Sequence, residues 1–301
     1  SPFARALDAA SDLFLGTTDA GSVSLELAGA GTTTVASGAT VTFGSNDFAS
    51  VTGGHVLLTQ TPVTIPGEGL GLCGASELRN SSTLTLAGPV ACTSAPHGSL
   101  HNLAAGTVAV SGVNASVAGE LHNAGAISVS GGTLAAGGGV HTGTIDVVGV
   151  SDAVELGAGS EASFNGTASI TGAGQFRARS VTWTSSASIS RLRVMPNSQF
   201  TGTVTITGEL DVDGYLSGPG TVTVAGGAVG GFDSNTSTMG LTGGVTLVNA
   251  GTVHQPRAVE VCASAITNQG QWNAGGALTC SPSFTNAASG TVSLTAVWDV
   301  D

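Results

Sequence analysis

Apolar and polar positions alternate along most of the chain in short runs, and Gly, Asn, Ser or Pro cut one run from the next. Alternation with period two predicts half-buried β-strands, and the breaks predict tight turns. From Leu100 the runs fall into a recurring unit: an apolar residue, a polar pair often containing Asn, a small-residue turn with Gly, then an alternating run. LHNLAAGTVAV begins at Leu100, LHNAGAISV at Leu121 and VHTGTIDVV at Val140. The unit returns at Phe164 (FNGTASI), Phe200 (FTGTVTI), Leu216 (LSGPGTVTV), Leu247 (LVNAGTV), Ile266 (ITNQGQW) and Phe284 (FTNAASGTVSL). A spacing of roughly 18 to 24 residues is that of a solenoid, in which each repeat buries its apolar face only by stacking on the next.

Asn102, Asn123, Asn249, Asn268 and Asn286 recur at the third position of the unit. Asn tolerates the left-handed backbone of tight turns and bonds to its own kind from layer to layer. A structural role is expected for these residues. From Gly21 to Val90 further alternating runs precede the clear repeats, broken by an irregular Pro and Gly stretch from Pro62 to Gly74 and by a loop from Ala95 to Leu100. The repeat continues across both, so neither reads as a linker. Residues 21–301 are expected to form one solenoid domain, clearest over 100–301. Ser1 to Leu15 has Pro2 at a first-turn position and Phe3, Leu7, Ala10 and Phe14 on one helical face. That pattern predicts a short amphipathic helix, with residues 1–20 capping the open strand edges of the first coil. The other end, TVSLTAVWDVD, stops within a strand pattern. This motivates an expectation of head-to-tail stacking on another copy or another surface protein.

Composition supports strands over disorder. The chain has 47 Gly and only 9% charged residues, but 41% of its residues are apolar and spread evenly; disordered chains lack that apolar supply. The low aromatic content, 4%, suits a narrow interior of Val, Ile, Leu and Ala. A net charge of −12, with Arg for all seven basic residues and no Lys, excludes nucleic acid as a partner. It equally disfavours an anionic membrane surface. No apolar run is long enough for a membrane-spanning helix, so no membrane insertion is expected, and no cofactor is called for.

The cysteines pair by spacing. Cys73 and Cys92 lie 19 positions apart, and Cys262 and Cys280 lie 18 apart, each close to one coil. Residues one coil apart stack about 4.8 Å from each other, within the span of about 4.4 to 6.8 Å that a disulfide bridges. Bonds Cys73–Cys92 and Cys262–Cys280 are expected, with four buried thiols as the alternative. No C-x-x-C pair supports a metal site. Disulfides place a chain in an oxidising compartment.

Candidate chemistry is sparse. Arg177, Arg179, Arg191 and Arg193 cluster around Trp183. One reading is a glycan site, with Arg forks for carboxylates or sulfates and Trp183 as a stacking plate. The other is a charge ladder: adding one turn of 18 takes Arg191 to Glu209 and Arg193 to Asp211, a favourable cross-strand pairing. Glu209, Asp211 and Asp213 alternate along one strand and are weak candidates for a metal, since the downstream acids of a calcium loop are lacking. His101 and His122 occupy the same repeat position and read as a stacked pair. Thr-x-Thr pairs at Thr182/Thr184, Thr203/Thr205 and Thr221/Thr223 suggest a flat hydroxyl array. Four sequons, at Asn80, Asn114, Asn165 and Asn235, are candidates for N-glycosylation. No paired carboxylates or nucleophile–base motif points to catalysis.

The pattern L-x-N-x-G-x-I-x-V-x-G-G-x-L, clearest from Leu121 to Leu134 (LHNAGAISVSGGTL), resembles the parallel β-helix repeats of filamentous-haemagglutinin-type adhesins and related extracellular surface proteins. The resemblance covers about two thirds of the chain and is one of repeat style. It implies a right-handed parallel β-helix, here of roughly 13 to 16 coils, used outside the cell for display or attachment. The expected function is therefore an extracellular structural or adhesive solenoid of a cell surface, wall, sheath or virion, self-associating or binding polysaccharide. Two alternatives stand beside it. One is a carbohydrate-active β-helix enzyme, a polysaccharide lyase or hydrolase; the other is an ice-binding solenoid.

Overall fold

The computed structural model describes residues 3–7, 12–15, 26–43, 49–93, 96–166, 168–232, 239–280 and 283–294. Every one of these segments that is regular is a β-strand, and adjacent strands pair in parallel with a neighbour about one repeat away. The chain is a parallel β-solenoid, about 13 turns in all. It divides into two compact units, residues 1–160 and 161–301.

In the first unit the coil has three strand-bearing sides. On one side Gly31–Val35, His55–Thr59, Glu77–Asn80, Ser99–Asn102, Leu121–Asn123 and Gly139–His141 succeed one another. On the next run Val63–Ile65, Thr83–Leu86, Thr107–Ser111, Ala126–Ser130 and Thr144–Val147. Asn114–Val117, Thr133–Ala136 and Ala153–Leu156 line the third. Pairing in register turns sequence alternation into columns. Leu78, Leu100 and Leu121 stack inward, as do Val108, Ile127 and Ile145, and all are fully buried. Each column removes its methyl groups from water at about 25 cal/mol per Å².

In the second unit the longest sheet runs through Gln175–Ala178, Ala187–Val194, Thr203–Val212, Thr221–Val224, Thr246–Asn249, Ala265–Asn268 and Ser283–Asn286. Thr203 pairs with Thr221 and Thr221 with Thr246, steps of 18 and 25 residues. The coil therefore tolerates insertions at its corners while the strands keep register. The core here takes large rings. Phe164 stacks on Trp183 with centroids 4.3 Å apart, and Phe176 meets both edge-on.

The recurring Asn residues build a ladder in each unit. In the first, Asn80 Nδ2 donates to Asn102 Oδ1 at 2.9 Å, and Asn102 Nδ2 to Asn123 Oδ1 at 2.8 Å. In the second, Asn249 donates to Asn268 at 2.8 Å and Asn268 to Asn286 at 2.7 Å. The same amides donate to turn carbonyls, Asn102 to Gly106 and Ala126, and Asn268 to Thr291. This explains the glycines that follow Asn102 and Asn286. A Cβ at Gly106 would lie 2.4 Å from Asn102 Oδ1, and one at Gly290 would lie 2.4 Å from Asn286 Oδ1.

Both disulfides form as the spacing predicts. Cys73 and Cys92 have Cα atoms 5.0 Å apart, and Cys262 and Cys280 have them 5.1 Å apart. The N-terminal helix does not form. Phe3–Leu7 is a strand paired with Gly31–Val35, and Asp12–Leu15 is one paired with Thr40–Phe43. An isolated helix of this length is marginal in water, whereas parallel pairing satisfies nine consecutive-register positions of backbone along the edge of the first coil.

Candidate functional site

The structure resolves the Arg cluster into a charge ladder. Arg191 lies in register with Glu209, and Arg193 with Asp211. Arg191 bonds Glu209 through Nε at 2.9 Å and Nη2 at 2.8 Å. Arg193 lies 3.4 Å from Asp211 and donates to Asp213 at 2.8 Å. Glu209, Asp211 and Asp213, the weak metal candidates, thus each face a guanidinium, which supplies the positive charge a cation would bring. Among the described residues no group of three His, Cys, Asp or Glu side chains is placed to hold a metal.

Arg177 stands in register with Arg193 on the side away from the acids. Its Nε donates to Gln175 Oε1 at 2.8 Å, and among the described residues no carboxylate forms an ion pair with it. Arg179 lies in the bend that follows that strand. Trp183 is not a stacking plate. It is fully buried against Phe164, because the inward parity of Val181 and Trp183 leaves only Thr182 outside. The structure therefore brings Arg177, Arg191 and Arg193 together on one face and withdraws Trp183 from it.

Of the sequons, Asn80 is fully buried and its amide is held by Asn102, Ser82 and Thr107. A glycan there would break the ladder, so Asn80 leaves the candidates. Asn114 is exposed, and Asn165 is half-buried with its Oδ1 accepting from Thr184. Asn235 lies outside the described residues. The hydroxyl array is longer than its sequence signal on one side and shorter on the other. Ser188, Thr205 and Thr223 form one outward column that Val248 interrupts before it resumes at Thr267 and Thr285. Thr203, Thr221 and Thr246 form the next. Thr182 belongs to another sheet and does not join them.

The first unit carries a feature that the motifs did not isolate. Glu77, Ser99 and Glu120 line an open groove of about 490 Å³ together with His97 and Ser160. Beside them Arg79, His101 and His122 form the adjacent outward column. Arg79 bonds Glu77 at 2.6 Å, Ser99 Oγ lies 2.9 Å from His101 Nε2, and His122 lies 2.9 Å from Glu120. The rings of His101 and His122 stack at 4.5 Å, as their shared position predicts. Burial, and then the neighbouring His122, hold His101 below the ordinary imidazole range. A sequence signal for this array exists: ELRN at Glu77, SLHN at Ser99 and ELHN at Glu120 are one motif, starting one residue and one coil before the LHN unit.

Fold and geometry together define a parallel β-solenoid whose ionisable and amide groups are paired mainly from coil to coil. Comparison with protein-family models, curated proteins and solved structures returns no match. The two disulfides imply a non-reducing compartment. Among the described residues no helix is long and apolar enough to cross a membrane.

Proposed function

We propose that this chain is an extracellular structural or adhesive solenoid, of the style seen in filamentous-haemagglutinin-type surface proteins, that presents flat repeated faces to neighbouring copies or to glycans. The observation that carries the reading is the set of in-register outward columns rich in hydroxyl residues, Thr83 and Thr107 and, beyond Ala126, Thr144 in one unit, and Thr203, Thr221 and Thr246 in the other. Such columns offer many weak, identical contacts, which suit a repeating partner better than a single small substrate. Disulfides that staple neighbouring coils fit service outside a reducing cell. Within this reading Arg177 is the best-placed group for an anionic sugar, since its fork is not taken by an acid while Arg191 and Arg193 are engaged.

Binding to immobilised uronate-containing and sulfated polysaccharides tests the glycan arm. Arg177→Ala is expected to weaken retention at least threefold at low salt while thermal stability is unchanged. Equal retention of the variant and the parent would remove Arg177 from the interface. A second reading rests on the Thr columns alone: a flat hydroxyl and methyl lattice orders water and binds ice. Thermal hysteresis in the purified protein, abolished by Thr221→Tyr, would favour it over adhesion.

A further inference from the structure

One seam in the first unit is thinner than its neighbours. Leu121–Asn123 meets Gly139–His141 through a single register pair, Asn123 with His141. The pairings of the preceding strands, from Gly31–Val35 to Leu121–Asn123, carry three to five. Gly139 adopts φ +129°, and a Cβ there would lie 2.3 Å from the Leu121 carbonyl oxygen, so only glycine admits this approach.

Ionisable rings converge on that seam. His122 Nε2 lies 2.9 Å from Glu120 Oε2, and His122 Nδ1 accepts the Val140 N–H at 3.2 Å. These two contacts assign the neutral Nε2–H tautomer. His141 is fully buried one coil further on. Burial, and then the neighbouring His122, hold its ring at about 3, far below ordinary imidazole. The groups facing this stack from the preceding coils are His101, whose Nε2 meets Ser99, and beyond it Glu77 and Arg79. The other two sides of the same coils are fully paired, Ala126–Ser130 with Thr144–Val147 and Thr133–Ala136 with Ala153–Leu156, over four register positions each.

We propose that His141 makes this seam an acid-operated latch, in which its protonation parts Leu121–Asn123 from Gly139–His141 on one side of the coil while the other two sides stay paired. The sign follows from linkage. A histidine that is held neutral by the fold but titrates freely once exposed stabilises the closed seam above its free value. That advantage is lost as pH falls below it.

Amide hydrogen exchange of the intact protein between pH 7.5 and 4.5, corrected for intrinsic rates, tests the latch. The open-state ring of His141 titrates near about 6.5. Opening at the Leu121 and Thr142 amides, which bond Gly138 and Asn123 across the seam, is expected to be flat above that value. Below it, opening should rise about tenfold per pH unit. The Val148 and Gly157 amides, which pair the same coils elsewhere, are expected to stay protected. His141→Asn would continue the Asn ladder without a titrating group and is expected to flatten the slope. No extra opening at low pH in the parent protein overturns the proposal, as does an unchanged slope in the folded His141→Asn variant.

Discussion

At the scale of single residues, position in the coil decides what a side chain does. Asn102 is buried, accepts from Asn80 and donates to Asn123, Gly106 and Ala126. Asn102→Leu keeps the volume but leaves amide and carbonyl partners unmet, each costing about 1 to 3 kcal/mol. Urea unfolding is expected to show a loss of about 2 to 4 kcal/mol for that variant. Asn286→Ala, at an exposed rung, is expected to lose less than about 1 kcal/mol. Equal losses at both positions would mean that the ladder is not what makes Asn102 matter. Much of this was legible, because an Asn that recurs at one position of a repeat must stack on itself when coils are in register. Trp183 was not, because its place in an Arg-rich stretch suggested an exposed ring. Its parity with Val181, and its alignment with Phe164 and Phe200, were the better guide.

At the scale of elements, cross-coil arithmetic reads correctly wherever the step is regular. The step of 18 from Arg191 to Glu209 and from Arg193 to Asp211 matches the observed register. These are part-exposed ion pairs, worth no more than about 1 kcal/mol each, so they set register more than they add stability. The Cys262–Cys280 bond contributes more. It closes a loop of 18 residues, for which chain entropy gives about 3 kcal/mol. Replacing both cysteines by Ser is expected to lower unfolding free energy by about that amount with the β-rich circular dichroism spectrum retained. Loss of the spectrum would instead make the bond a condition of folding. The N-terminal helix was misread for a physical reason. FARAL and DLFL carry a helical face and a strand alternation at once, and a neighbouring strand edge settles the ambiguity in favour of pairing. The groove beside Glu77 and Glu120 was overlooked because its motif repeats only three times, with one Ser among the acids and one Arg among the histidines.

At the scale of the whole molecule, a solenoid distributes its stability over nearest-neighbour coils, and its outward columns repeat at the coil spacing of about 4.8 Å. That regularity underlies the proposed role, since a surface that repeats is suited to a partner that repeats. The fold class was readable from alternation and spacing alone. The partner was not, because outward Ser and Thr satisfy the strand geometry whatever they touch. The most direct measurement is electron microscopy of the native material, purified without stripping its partners. The account predicts ordered filaments or sheets in which this chain repeats, with a layer spacing near 4.8 Å in their diffraction. Isolated single chains at every concentration, with no ordered assembly and no bound polysaccharide, would contradict it.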